Sequence, residues 1–115
     1  MTTTREAQSA LSDITAFLIA NLPTDRALGA RLKFVYPATG VVFIDGRKLP
    51  HVVHNRDEAA DCTVEIDPVL HLKLLNGEMD QGLAFRQGHM RISGDVAIAV
   101  RLGPLLRASG NAGGR

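Results

Sequence analysis

The residues that could bind a metal or act in catalysis are few in this chain, and they lie far apart. His51 and His54 are three residues apart in a run with strand character, so their side chains point to opposite faces and do not share a metal ion. His71 and His89 stand alone, without a neighbouring set of cysteines or carboxylates. These spacings predict no metal site and no cofactor.

A catalytic nucleophile or a phosphate-binding loop is equally hard to place. Ser93 precedes Gly94 and Asp95 but lacks the glycine spacing of a nucleophile elbow, and Asp95 is better placed to cap a helix. The glycine-rich run at 110–114 does not follow a strand, which disfavours a phosphate loop. The sequence therefore predicts a protein that is not an enzyme.

The composition is that of one ordinary globular domain. The 115 residues are 45% hydrophobic and 22% charged, with a formal net charge of +1, so the basic surface that nucleic-acid binding requires is missing. Cys62 is the single cysteine and is expected to be a small apolar strand residue. With no intramolecular disulfide and no signal-peptide pattern, we expect a cytoplasmic protein. We expect one domain over 1–108 and a disordered tail over 109–115.

The first segment predicts an amphipathic helix. Thr3 and Glu6 have the spacing of a capping box, and apolar residues then recur at helical intervals as far as Asn21–Pro23. Such a helix either packs on a sheet or lies on a membrane surface. Its polar face has almost no lysine or arginine, which favours packing on a sheet.

Three strands are predicted next, because the apolar period changes to two. Leu32–Tyr36 has alternating character, and Val41–Ile44 is apolar on both faces and therefore central. Asp45-Gly46 predicts a tight hairpin leading into a third strand over Arg47–His54. Pro50 within that third run favours an edge strand or a bulge.

The second half predicts a strand and a helix, followed by a short helix, a strand and a last helix. Cys62–Ile66 alternates like a strand, and Asp67-Pro68 begins an apolar helix that Asn76-Gly77 ends.

The last three elements have equally clear boundaries. Asp80 and Gly88 bound the short helix, and His89–Ser93 alternates like a strand. Gly94-Asp95 opens the last helix, which Gly103-Pro104 kinks or ends.

The second half of the chain resembles the sterol carrier protein type two (sterol-binding domain) family, and the first half agrees with it in the order of its elements. The segments that carry the resemblance are Ala60–Val64, Gly77–Met79, Ala84–Phe85, Gln87–Gly88, Met90–Ile92, Gly94–Asp95 and Ala97–Leu102. None of them is diagnostic alone, but their order and spacing together are specific. The chain is similar to stand-alone, bacterial-type members.

This resemblance implies an α+β fold with a five-stranded, mixed, largely antiparallel sheet covered on one face by helices. The element order would be α-β-β-β-crossover-β-α-α-β-α, which the sequence patterns also predict. The implied function is non-catalytic binding and transfer of a fatty acid, fatty acyl-CoA, sterol or isoprenoid in a hydrophobic tunnel between sheet and helices. The implied partners are the lipid and possible lipid-metabolising enzymes, with at most transient membrane contact and no nucleic acid.

Alternation and helical spacing select the residues expected to line the tunnel. They are Phe34, Val64, Ile66, Leu70, Leu74, Met79, Leu83, Phe85, Met90, Ile92, Val96 and Val100. Taken individually, each of them is more typical of plain core than of ligand contact. Met79 and Met90 are the stronger candidates because flexible thioethers adapt to variable ligands. Arg86 stands where relatives often carry an apolar residue, and it either lies on the surface or binds a carboxylate or phosphate headgroup.

Two other functions stay open. Some family members act as accessory or scaffold proteins that present a lipid-like intermediate, such as a quinone precursor, to biosynthetic enzymes. A small thioesterase or hydrolase that uses His71 or His89 is the third possibility, although the sequence shows no base and nucleophile pair.

Overall fold

The structure, a computed structural model, describes residues 4–110 of the chain. Its elements, in chain order, are α1 (Thr4–Asn21), β1 (Arg31–Tyr36), β2 (Gly40–Asp45), β3 (Val52–His54), β4 (Cys62–Ile66), α2 (Pro68–Leu75), α3 (Gln81–Arg86), β5 (Met90–Gly94) and α4 (Val96–Gly110). The predicted order of helices and strands is confirmed, and the fold is α+β.

The five strands form one mixed sheet in the order β3-β2-β1-β4-β5. Three of its four strand pairs are antiparallel, and β1 and β4 are parallel. The parallel pair arises because the connection after β3 passes β2 and β1 before the chain enters β4. Asp57 on this connection pairs with Lys33 at 2.8 Å, and the Asp61 carboxylate accepts a hydrogen bond from the Arg31 backbone N–H at 2.9 Å.

The core lies between the helices and one face of the sheet. Along β1 and β4 every second residue is buried, as the period of two predicts. Ile14 and Leu18 of α1, together with Ile98 and Leu102 of α4, pack into the same cluster. The first helix therefore packs on the sheet, which is the alternative that the charge pattern favours.

The helix starts follow from local capping. The Asp67 side chain accepts a hydrogen bond from the Leu70 backbone N–H at 3.0 Å, and Asp80 caps α3 in the same way. Asp95 accepts a hydrogen bond from the backbone N–H two residues further on, at 3.1 Å. Its predicted role as a helix cap is confirmed.

The third strand is shorter than the sequence predicts, and the prediction of a tight hairpin at Asp45-Gly46 is wrong. The Gly46 N–H donates to the Ala30 carbonyl at 3.0 Å, and the Gly46 carbonyl accepts from the Gly29 N–H at 2.8 Å. Backbone pairing with the residues just before β1 therefore continues past Asp45. The Asp45 carboxylate then binds the Arg47 backbone and guanidinium, which turns the chain into a loop. β3 begins only at Val52, although its edge position is as predicted.

The last helix continues through Gly103-Pro104, so the prediction that it could end there is wrong. Pro104 lies inside α4 and removes one backbone donor. Leu102 and Leu105 on either side of it are buried, and their packing holds the helix on the sheet. Ser109 and Gly110 of the predicted tail belong to α4. Residues 111–115 and Thr3 of the predicted capping box lie outside the described residues.

Candidate functional site

An apolar cavity of about 340 Å³ lies between the helices and the inner face of the sheet. It is lined by Phe17, Phe34, Val64, Ile66, His71, Leu74, Leu75, Gly77, Met90, Ala99, Leu102, Gly103 and Leu106. Apart from Gly77, which follows α2, these residues come from α1, α2 and α4 on one side and from β1, β4 and β5 on the other. Among the described lining residues, His71 alone has a polar side chain.

The structure brings five of the predicted lining residues together at this cavity. They are Phe34, Val64, Ile66, Leu74 and Met90. Three further predicted residues, Leu70, Met79 and Ile92, are partly buried against the core but do not line the cavity. Ligand contact by any of these residues stays a prediction.

The other predicted residues lie at the surface of α3 and α4. Leu83, Phe85, Val96 and Val100 are exposed, with Val100 at 64%, and Arg86 is exposed as well. α4 turns a different stripe toward the sheet, so that its buried residues are Ile98, Ala99, Leu102 and Leu105. A headgroup contact by Arg86 also stays a prediction.

Several lining residues were missed at the sequence level, and for most of them a signal existed. Phe17 continues the apolar spacing of α1, and Ala99, Leu102 and Leu106 recur at intervals of three and four on α4. That spacing is no better than the spacing of Val96 and Val100, so helical periodicity alone could not choose between the two stripes. His71 lies three and four residues before Leu74 and Leu75, so helical spacing also placed it on the face of α2 that lines the cavity.

Tyr36 and His71 form a buried polar pair at the cavity wall. The Tyr36 hydroxyl lies 2.7 Å from Nδ1 of His71, and the rings of Phe34 and His71 are 4.4 Å apart between centroids. Burial lowers the pKa of His71 from 6.5 to about 4, and burial also raises the pKa of Tyr36 well above its usual value. Both side chains are therefore uncharged at neutral pH.

Acidification from pH 7 to pH 4 should lower the free energy of unfolding through His71. The unfolded chain binds a proton at His71 near pH 6.5, whereas the folded chain does so only near pH 4, so stability is lost as the pH falls through this window. The difference corresponds to roughly 3 kcal/mol. Urea unfolding of wild type and His71→Phe at pH 7, 5.5 and 4 measures it.

The matched control for this prediction is His89→Gln, because the His89 ring is exposed. This variant should keep the steep pH dependence of the wild type, and His71→Phe should lose most of it. Parallel stability profiles for wild type and His71→Phe between pH 7 and pH 4 would contradict the buried, uncharged state of His71.

The other side chains that could react or bind a metal are buried in the core or make structural contacts. Cys62 is buried in β4, and burial raises the pKa of its thiol. His51 Nε2 accepts a hydrogen bond from the Leu28 backbone N–H, and the His54 ring stacks on Phe43. Across residues 4–110 no three His, Cys, Asp or Glu side chains cluster as a metal site would require.

No helix within the described part of the chain is long and apolar enough to cross a bilayer.

The fold and the cavity define a small α+β domain in which helices and one sheet face enclose an apolar site. The family model described as the SCP-2 sterol transfer family matches residues 4–107, which is nearly the whole described chain. The chain therefore belongs to this lipid-binding family, and the resemblance in the sequence is confirmed.

A curated relative and several solved structures are similar to the chain. Human sterol carrier protein 2 is 37% identical over 75 residues, which are 65% of this chain and 14% of that protein. The chain thus spans about one-seventh of the length of the curated relatives it matches.

The similar structures show the fold. Sterol carrier protein 2 like 2 from Aedes aegypti has a TM-score of 0.67 at 20% identity, over 90% of this chain and 99% of its own. Sterol carrier protein 2 from Aedes aegypti, in complex with palmitate, has a TM-score of 0.61 at 18% identity, over 95% and 99%. The UbiJ-SCP2 ubiquinone synthesis protein has a TM-score of 0.66 at 18% identity, over 85% and 93%.

Proposed function

We propose that this protein binds an apolar lipid in the cavity between its helices and sheet, and transfers it without altering it chemically. Fatty acids, fatty acyl-CoA thioesters, sterols and isoprenoids are the ligand classes in question. The observation that carries the proposal is the 340 Å³ cavity with an apolar lining and one uncharged histidine. Small-ligand pockets of roughly 300–1,000 Å³ usually have this character, with a few polar groups that orient the ligand.

Desolvation supplies the affinity in such a site. Each buried methylene contributes about 0.8 kcal/mol, so a chain of a dozen methylenes gains on the order of 10 kcal/mol before the costs of binding. A lining without charged groups favours any ligand with enough apolar surface. Membership of the SCP-2 sterol transfer family and the palmitate complex of the Aedes aegypti relative support this choice of ligand class.

Filling the cavity tests the proposal. Ala99 lines the cavity and is buried, so Ala99→Phe places a ring where the lipid chain would lie. We expect Ala99→Phe to bind a fluorescent fatty acid at least about tenfold more weakly than wild type, and Ala99→Leu to show an intermediate loss. Native mass spectrometry of the freshly purified wild type should show a co-purified lipid that Ala99→Phe lacks.

The matched control is Ala97→Phe, an exposed position on the same helix. This variant should bind the fluorescent fatty acid as wild type does, and circular dichroism should show all three variants folded. If Ala99→Phe and Ala97→Phe bind equally well, or if wild type is free of lipid and binds no probe, the carrier function is wrong.

A second function, presentation of a lipid-like intermediate such as a quinone precursor to biosynthetic enzymes, uses the same cavity. The exposed apolar side chains of α3 and α4 favour it, because Phe85 and Val100 are more than half exposed. The likeness to the UbiJ-SCP2 ubiquinone synthesis protein points the same way. Co-purification of lipid-metabolising enzymes that Phe85→Ser abolishes would support it. A monomer that exchanges lipid between vesicles without any partner would support the carrier.

A further inference from the structure

The hydrogen bond between Tyr36 and His71 determines which nitrogen of His71 carries the proton. The Tyr36 hydroxyl is buried, and among residues 4–110 its hydrogen-bond partner is Nδ1 of His71, at 2.7 Å. A buried hydroxyl hydrogen without an acceptor is costly, whereas an unused lone pair on the same oxygen costs little. Tyr36 is therefore the donor and Nδ1 the acceptor. An uncharged imidazole that accepts at Nδ1 carries its proton on Nε2.

Nε2 of His71 is the ring nitrogen that Tyr36 leaves unpaired. No hydrogen bond joins Nε2 to any group within the described chain, where Nδ1 is the bonded nitrogen of this ring. No side-chain nitrogen or oxygen there is both sealed from solvent and unpaired, so Nε2 keeps accessible surface although the residue is only 6% exposed. Because His71 lines the cavity, this surface opens onto the space that a ligand would fill.

The surroundings of this donor select an uncharged ligand atom. The cavity lining holds no charged side chain among the described residues. A carboxylate or phosphate placed there would lose its hydration without gaining a cation, which costs far more than one hydrogen bond returns. An alcohol or ketone oxygen loses less hydration and gains a partner of matching polarity.

We propose that His71, oriented by Tyr36, donates its Nε2–H to an uncharged oxygen of the bound lipid, an alcohol or a ketone carbonyl, and so selects lipids with such an oxygen in their buried part. The inference rests on the proposed function, because it needs a ligand inside the cavity. A charged headgroup would then stay outside the cavity, with only the apolar part of its lipid inside.

Competition binding with four short ligands tests the selection. The ligands are 2-octanone, 1-octanol, 1-chlorooctane and octanoate, each displacing a fluorescent apolar probe from wild type, His71→Phe and Leu74→Met. His71→Phe should weaken the binding of 2-octanone and 1-octanol about 3- to 10-fold more than that of 1-chlorooctane, the effect of one net hydrogen bond. Leu74→Met, which changes the lining without removing a polar group, should change all affinities by one common factor.

The outcomes separate this inference from the proposed function. If no ligand displaces the probe from wild type, the carrier function itself fails. The ligands could instead bind with the same ratio of 2-octanone to 1-chlorooctane affinity in wild type and His71→Phe. That result would overturn only the proposed selection by His71. Tighter binding of octanoate than of 2-octanone that depends on His71 would overturn the uncharged ligand class.

A spectroscopic test does not depend on the variant His71→Phe folding. Two-bond ¹H–¹⁵N correlation spectra of the wild type at pH 7 should show His71 protonated at Nε2, and 2-octanone should shift that resonance. Tyr36→Phe should allow a mixture of both tautomers, because the donor to Nδ1 is gone. Protonation of His71 at Nδ1 in the wild type, or no change of its resonances with saturating 2-octanone, would overturn the inference.

Discussion

Replacement of Gly94 by alanine should lower the free energy of unfolding by about 2–5 kcal/mol, the combined cost of backbone strain and overpacking. Gly94 has φ +84, a conformation that side chains with a Cβ rarely adopt. A Cβ at this position would also collide with the backbone carbonyl oxygen of Asp61. That oxygen accepts a hydrogen bond from the Asp95 N–H at 2.9 Å, so the backbone there cannot move away without losing it.

Gly88→Ala is the matched control for this prediction. Gly88 has a similar φ of +78, but a Cβ there would meet no atom within 4 Å. Its replacement should cost only the strain of the left-handed conformation, about 1–2 kcal/mol. Chemical denaturation of both variants separates the two contributions. Equal losses of unfolding free energy in Gly94→Ala and Gly88→Ala would mean that the close approach to Asp61 contributes nothing to stability.

The Gly94 variant also reports on the site. Gly94 ends β5 directly before α4, the helix that brings Ala99 and Leu102 to the cavity wall. A shift at this junction should displace that wall, so folded Gly94→Ala should bind the fluorescent fatty acid more weakly than Gly88→Ala does.

Replacement of Leu18 by alanine should cost about 2–5 kcal/mol, because it leaves a cavity in the core as well as losing apolar burial. Leu18 is completely buried, on the face of α1 that also carries Ile14. Its neighbour Ile19 is 62% exposed, so Ile19→Ala should change the free energy of unfolding by no more than about 0.5 kcal/mol. Equilibrium urea unfolding of the two variants beside wild type measures the difference.

The same two variants also test whether α1 packs on the sheet with one defined face. Comparable losses in Leu18→Ala and Ile19→Ala would contradict the packing of α1 on the sheet with one defined face. A large loss at Leu18 alone would agree with α1 as part of the layer that covers the cavity, since Phe17 of the same helix lines it.

In the proposed function, the affinity and the selectivity of the site come from different groups. Most of the lining is apolar and, in the proposed function, contributes affinity in proportion to the lipid surface that it buries. In the proposed selection, the Tyr36–His71 pair contributes little to affinity but decides which polar atom the buried part of the lipid carries. Burial of His71 also makes the fold sensitive to acid, because the ring must give up its proton to stay in the cavity wall.

The order of the elements was predictable because its signals are local. The alternation in β1 and β4 and the aspartate caps at Asp67, Asp80 and Asp95 depend on residues only a few positions apart. Two of the errors in the fold lie where distant residues override a local signal. Asp45-Gly46 does not form a hairpin turn because Gly46 pairs with Gly29 and Ala30, and Pro104 does not end α4 because its neighbours are buried.

The sequence by itself determined the family, the element order, and five of the thirteen described lining residues of the cavity, in part because β-strand alternation places residues such as Phe34 and Val64 on one face. Only the tertiary structure decided which stripe of α4 faces the sheet, because helical periodicity describes Ala99 and Leu102 as well as it describes Val96 and Val100. Only the tertiary structure joined Tyr36 to His71, 35 residues further along the chain. Local patterns determine the face of an element on which a side chain lies, but a contact between two elements exists only once both are packed.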